Sequence, residues 1–419
     1  MGLGEAVVGT RRGVRLALVT LLLVLLAPIG VAGGLGMAPA MAILGLVTAI
    51  LGTTKARDYR EPMSGWFWGL MLFALWAAAS SLWSRYPVPG GWDVLTSNPV
   101  KLLLGVVLYT VAAGAVLQTA RLRPVFVQRL AVGAMVALLV ITIIDLATGY
   151  GLSFLFDPVG VGEDPERRRG DAEQNVGHGI TMACLLLSGA GVAVWRLLSV
   201  HGRTVQWAGV ALLGAALLVA SILGGLWIGM LCTLAVAAVS ALAVYFPRTA
   251  TMLAFAGAAL TLILAPVIGR LCAGMSAGAK ADLPFSWEHR VEGWAYVTER
   301  IFERPLLGHG FDAVRTFDAV KDIRGYDMSL VSLHPHNAGL HIWVEAGAIG
   351  VGLAVFALIL LARQTLEWVG ESRARAIASA GFVTAATLIC SISYGVWQEW
   401  WWASLFLAAA LVPVFLREA

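Results

Sequence analysis

Arg15-Leu16-Ala17-Leu18-Val19-Thr20-Leu21-Leu22-Leu23-Val24-Leu25-Leu26-Ala27-Pro28 decides the class of this protein. The apolar run extends from about Val14 to Val31, behind Arg11, Arg12 and Arg15. At about 1.5 Å per residue, a helix of that length crosses a hydrocarbon layer of about 30 Å. The basic start looks like a signal peptide's, but no small-residue cleavage site follows. The run is therefore read as an uncleaved first transmembrane helix. Further apolar segments are expected to span near 36–52, 65–83, 99–119, 127–149, 175–195, 205–221, 225–245, 250–268, 338–362, 376–395 and 399–416. With 14–32 they make about twelve spans, a polytopic all-α bundle treated as one domain over residues 1–419.

Composition agrees. Of 419 residues 59% are hydrophobic and 13% charged, and the mean hydropathy is +0.81. A soluble domain carries about 25% charged residues. The net charge of +4 is small. No basic run interleaved with aromatics offers a nucleic-acid surface, so no nucleic-acid partner is expected. Cys184, Cys232, Cys272 and Cys390 form no CxxC pair and read as small hydrophobes.

Lysine and arginine positions orient the chain. With the N-terminus in the cytoplasm, the inner connections hold Arg11, Arg12, Arg15; Lys55, Arg57, Arg60; Arg121, Arg123, Arg129; Arg196, Arg203; Arg248; Arg363, Arg373, Arg375; and Arg417. The short outer connections hold only Arg85 and Lys101. This is the positive-inside pattern, with both termini cytoplasmic. Two long segments then lie outside, near 151–174 and 269–337. The second is a large insertion between the ninth and tenth spans. In it Val291, Trp294, Val297 and Ile301 recur at helical spacing, and Arg304-Pro305 ends that helix.

Chemistry is sought in those two segments. Arg167, Arg168 and Arg169 suit a phosphate or diphosphate, since each guanidinium can donate a bidentate pair. They equally suit pairing with Glu163, Asp164 and Glu166. Asn175 and His178 follow. The longer segment ends in His334-Pro335-His336-Asn337, ahead of His341 and Glu345. A helix starting at or just after Asn337 would set His336 beside free backbone N–H groups, where an anion is favoured. A histidine there can take a proton from a hydroxyl. Without HExxH, a His-x-His pair is a poor metal signal, and neither metal nor cofactor is expected. Glu345 inside an apolar helix calls for a partner or an aqueous cavity.

The stretch from Trp287 to Gly350 resembles the region shared by the bacterial O-antigen ligase and O-antigen polymerase superfamily. Arg290 lies four residues before Trp294, and Pro305-Leu306-Leu307-Gly308-His309-Gly310 follows. His336-Asn337 then opens a helix that continues through Glu345-Ala346-Gly347-Ala348-Ile349-Gly350-Val351-Gly352. The resemblance implies an integral-membrane glycosyltransferase of the GT-C type in the bacterial inner membrane, with a periplasmic site. Its donor would be a glycan on undecaprenyl diphosphate. Its acceptor would be a lipid A–core sugar for a ligase, or the growing glycan for a polymerase. By motif, His336 would activate the acceptor and Arg290 would bind the diphosphate. Trp294, His334, Asn337 and Arg167–Arg169 would contact the diphosphate or glycan. Relatives often carry Ser-Arg-Gly near the outer end of a middle span, whereas this chain reads Ser221-Ile222-Leu223-Gly224-Gly225. Either Arg167–Arg169 or Arg270 would then supply the missing charge, or the site differs. The one dominant outer segment favours a ligase. A transporter or flippase for a lipid-linked solute would want polar residues in several spans and repeat symmetry. A scaffold would have no use for arginines beside histidines.

Overall fold

The computed structural model describes residues 3–52, 64–87, 96–155 and 164–417. The basic cluster Lys55, Arg57, Arg60 and the carboxylate Glu163 lie outside them. The chain is an all-α polytopic membrane bundle. Its helices are α1 (Leu3–Val31), α2 (Met37–Ile50), α3 (Gly65–Ser80), α4 (Asn98–Leu122), α5 (Pro124–Ala147), α6 (Pro165–Leu197), α7 (Arg203–Leu223) and α8 (Trp227–Tyr245). They continue as α9 (Pro247–Ile263), α10 (Ala265–Ala273), α11 (Ala277–Ala281), α12 (Phe285–Glu303), α13 (Ala338–Val369), α14 (Arg373–Ile392) and α15 (Glu399–Phe415). Proline occupies the first turn of α4, α5, α6, α9 and α10, where its missing N–H costs nothing and its fixed φ suits a helix.

Every apolar segment expected from the sequence is helical. Eight helices (α1, α4, α5, α6, α7, α8, α13 and α14) are long and apolar enough to cross a membrane. The pair α9 and α10, bent by 55°, makes a ninth if it counts as one span. Helices α2, α3 and α15 have 14, 16 and 17 residues. At 1.5 Å per residue they reach only about 21–26 Å. Apolar side chains such as Leu21, Val24 and Leu25 of α1, and Leu212 of α7, stay exposed on the outside, as a lipid-facing surface requires.

The 269–337 segment folds as a layer of its own. Trp294, Val297, Ile301, Val314 and Val331 form a small core with Leu340 and Val344 of α13. Helix α12 ends at Arg304, ahead of Pro305, as the sequence predicts. A hairpin that the sequence reading did not anticipate follows: β1 (Val320–Ile323) pairs antiparallel with β2 (Tyr326–Ser329). Arg324 and Gly325, both at positive φ, form its two-residue turn. Ion pairs clamp α11 and the hairpin onto α12. Glu292 receives Lys280 at 3.1 Å and Lys321 at 2.9 Å, and Arg324 reaches Glu288 at 2.7 Å.

Helix α13 has 32 residues, which unbroken would run about 48 Å. It is broken at Gly347, whose φ is 66°. The break frees backbone groups that must find partners in an apolar setting. The Pro305–Gly310 turn supplies them. Ala348 N–H donates to the Pro305 carbonyl (2.9 Å) and Ile349 N–H to that of Leu306 (3.3 Å). In return His309 and Gly310 donate to the carbonyls of Val344 and Glu345, each at 2.8 Å. Trp76 Nε1–H donates to the Ala346 carbonyl at 2.9 Å. The contact is too close for side chains. A Cβ on Gly347 would sit 2.2 Å from the Leu306 carbonyl oxygen, and one on Gly308 2.3 Å from that of Glu345. The two glycine-rich motifs are halves of one joint.

Candidate active site

Asn337 caps α13: its Oδ1 accepts the Leu340 N–H at 2.9 Å. That places His334, Pro335 and His336 just ahead of the helix. His336 has a φ of 54°, a left-handed conformation rare for a side-chain-bearing residue. Its N–H donates to Nδ1 of His334 at 3.3 Å, and the two rings meet edge to face at 4.4 Å. Trp294 Nε1–H donates to the Pro335 carbonyl at 2.7 Å, pinning the turn to α12.

The decisive bond lies at the other end of the ring. His336 Nδ1 is 2.7 Å from the carbonyl oxygen of Ser393, the residue that ends α14. A carbonyl only accepts, so Nδ1 carries the proton. The neutral ring therefore keeps its lone pair on Nε2, which makes no hydrogen bond among the described residues. An orphan carbonyl at a helix C-terminus also favours the imidazolium once it forms. Burial pushes the His336 pKa down to about 4, against the raising effect of the Ser393 bond; the charges of Arg290, His289 and His341 push the same way as burial. Burial also holds His334 far below the ordinary histidine value.

Residues 393–398, the short link between α14 and α15, touch the whole cluster. Ser393 fixes His336. Val396 N–H donates to His341 Nδ1 at 3.2 Å, and Gln398 lies 3.5 Å from His334 Nε2. Trp397 Nε1–H donates to the Glu345 carboxylate. Glu345, fully buried, also accepts the N–H groups of Asp312 and Val314, each at 3.0 Å, and lies 3.4 Å from His341 Nε2. The carboxylate thus accepts from two segments, 312–314 and the 393–398 link, and ties both to α13. This link carries no motif, and the sequence reading missed it. Among the described residues no group of three His, Cys, Asp or Glu is arranged to hold a metal ion. Backbone groups hold ring nitrogens of His334, His336 and His341 instead.

Arg290, on α12, donates weakly to the Ser286 carbonyl (3.4 Å) and lies 5.6 Å from the Trp287 ring. Its Nε is buried without a partner, and among the described residues no carboxylate pairs with it. A half-buried guanidinium with no ion-pair partner is an arrangement that an anionic ligand would relieve. Burial lowers its pKa, though a guanidinium stays charged.

Other expected site residues have partners of their own. Arg167, Arg168 and Arg169 sit in the first turns of α6, not in a loop. Arg168 donates to the Phe154 carbonyl (3.3 Å) and covers the Phe154 ring, and Arg169 pairs with Glu173 (3.2 Å). The bonds that hold His334, His336 and Arg290 come from Gln398, Ser393 and Ser286, not from this triplet. Arg270 lies over Phe302 at 4.1 Å. His178 packs against Trp400 and Tyr394 at 4.3 and 5.2 Å.

Below the histidines a cavity of about 330 Å³ opens between α3, α9, α13, α14 and α15. Phe73, Phe255, Leu358, Phe382, Trp402 and Phe406 give it an almost wholly apolar lining. Its walls include Ala338 and Gly339, directly after the His336-Asn337 pair, and Val396 of the 393–398 link.

No family profile and no solved structure matches the chain. Curated relatives do. The chain is 32% identical over 133 residues to a Rickettsia prowazekii protein named "Putative polysaccharide ligase". It is 33% identical over 134 residues to a protein of that name from Rickettsia bellii, and 33% over 133 to one from Rickettsia typhi. Each match covers 31% of this chain and 32% of the relative's length.

Proposed function

We propose that this protein is a polysaccharide ligase, specifically an O-antigen ligase. It would transfer a glycan from undecaprenyl diphosphate to a lipid A–core hydroxyl on the periplasmic face of the bacterial inner membrane. The observation that carries the reading is the His336–Ser393 bond, which leaves a lone pair on Nε2 near an uncompensated Arg290, at the head of an apolar cavity. The names of the matched relatives support the broader class.

The chemistry follows from these groups. The acceptor oxygen attacks the anomeric carbon and a new C–O bond forms. The bond from that carbon to the diphosphate breaks, and its electron pair leaves with the diphosphate. The acceptor proton passes to His336 Nε2, and the Ser393 carbonyl steadies the resulting imidazolium. Arg290 meets the charge growing on the leaving group, which needs no protonation. Direct displacement inverts the anomeric centre. The cavity takes the part of the prenyl chain nearest the diphosphate, and the remainder lies in lipid. The pKa of about 4 belongs to the free site. A bound diphosphate raises it by its negative charge, toward the range where a general base works best.

Reconstitution tests this. The purified protein in proteoliposomes receives a defined undecaprenyl-diphosphate glycan and two acceptors. Product on lipid A–core is expected. A longer lipid-linked chain would make the protein a polymerase, and glycan carried across the bilayer without a new bond would make it a transporter.

A further inference from the structure

The carbonyl that fixes His336 belongs to the peptide between Ser393 and Tyr394. A peptide is planar and rigid, so its two Cα atoms set where that carbonyl points. Helix α14 fixes the first end, since Ser393 N–H donates to the Ile389 carbonyl at 3.0 Å. The second end is Tyr394, and its side chain is anchored on α6. The Tyr394 hydroxyl lies 3.0 Å from Oγ1 of Thr181, a buried residue of that helix. The Tyr394 ring stands 5.2 Å from His178, 4.8 Å edge-on from Trp400 and 5.8 Å from Trp401. Gly395 follows, and a Cβ there would sit 2.9 Å from the His334 ring. Three consecutive residues therefore bridge α6 and the histidine turn. Ser393 holds His336, Tyr394 holds α6, and Gly395 leaves room for His334.

We infer that Tyr394 is a positioning residue of the active site, whose hydroxyl bond to Thr181 holds the Ser393 carbonyl on His336 Nδ1. Its consequence for catalysis rests on the ligase reading above; the hold on the ring does not. Without the Thr181 bond the Tyr394 Cα is free to shift, and the 393–394 peptide turns with it. The 2.7 Å bond to His336 then lengthens. The proton is no longer kept on Nδ1, because the tautomer of a histidine is set by the bond its other nitrogen makes. A ring with its proton on Nε2 has no lone pair there to take the acceptor proton. Donor binding does not pass through this bond, so the loss falls in kcat and not in KM.

Two measurements on the full chain in lipid nanodiscs test the assignment. The first needs no substrate: heteronuclear NMR of isotope-labelled histidine rings, with the His336 signals identified by their loss in His336→Asn. The wild type should show one neutral tautomer, protonated on Nδ1. Tyr394→Phe keeps the ring and loses the hydroxyl, and should show both tautomers. Thr181→Val should do the same, whereas Thr181→Ser keeps a hydroxyl and should restore the single form. The second measurement is glycan transfer to lipid A–core. Tyr394→Phe and Thr181→Val should each lower kcat about tenfold with the donor KM unchanged, and the double variant should lose no more than either alone, since both remove one bond. A Tyr394→Phe chain that keeps the single tautomer overturns the assignment, whatever its melting temperature, because the bond is then only structural. Losses that multiply in the double variant overturn it as well. A wild type that transfers no glycan, while Tyr394→Phe still mixes the tautomers, sinks the ligase reading and supports the hold of Tyr394 on the ring.

Discussion

His336 holds a left-handed backbone at φ 54°, at a cost of about 1–2 kcal/mol for a residue bearing a side chain. The bonds to Ser393 and His334 keep it there. Substitution should respect that backbone, and asparagine tolerates it best. His336→Asn should therefore leave thermal stability near wild type and lower glycan transfer by about 10²–10⁴-fold, the usual worth of a general base. Near-normal transfer by this variant would remove His336 from the chemistry. The pH profile carries the same argument. Burial favours the neutral ring, so His336 stays an active base as pH falls and protonates only near its pKa of about 4. The groups that face it are Arg290 and His289 from α12, His334 from its own turn, His341 from α13 and the Ser393 carbonyl from α14. Accordingly kcat/KM should stay flat from pH 8 down past 6 and drop as pH approaches 4; a limb at the ordinary histidine value near 6.5 would contradict the burial. The sequence singles out His336 and Arg290 because they lie in a motif. It singles out Trp294 and Asn337 too, but not the bonds by which one pins Pro335 and the other caps α13. Ser393 was not legible at all, since it acts through a main-chain carbonyl that any residue would present.

Among the elements, the joint between the Pro305–Gly310 turn and the break in α13 sets where the site stands. Gly347 combines a positive φ with a carbonyl oxygen 2.2 Å from where a Cβ would lie. Gly347→Ala should lower the melting temperature and expose the 269–337 segment to protease, since strain of about 1–2 kcal/mol adds to the clash. Gly352, on the same helix, has nothing within 4 Å of a Cβ. There alanine should be neutral or stabilising by up to about 1 kcal/mol. Equal behaviour of the two variants would mean that the joint is not what holds the layer. The sequence shows two glycine-rich motifs but not that they are halves of one joint, because they meet only when the chain folds. The hairpin was missed for a related reason: Arg324-Gly325 is a weaker turn signal than Asn-Gly.

For the whole molecule, the apolar cavity links the histidine turn to the bundle. Ala386, on α14, lines it and is not itself fully buried. Ala386→Phe should fill space without strain, preserving or raising the melting temperature. The same change should reduce transfer from a long-prenyl donor at least tenfold, with the loss appearing mainly in KM. Unchanged kinetics would place the prenyl chain elsewhere. Hydropathy and length sufficed to identify the membrane bundle, because each helix must satisfy its own backbone in lipid and so announces itself as an apolar run. Other local signals marked the end of α12, at Arg304-Pro305, and the start of α13, at Asn337. What holds the histidines was decided only by the tertiary structure. It set Arg167–Arg169 in the head of α6 and Arg270 over Phe302, and it brought the 393–398 link to the histidine turn. Those pairings join residues far apart in the chain through carbonyls, ring stacking and a shared buried carboxylate, none of which leaves a periodic trace in the sequence.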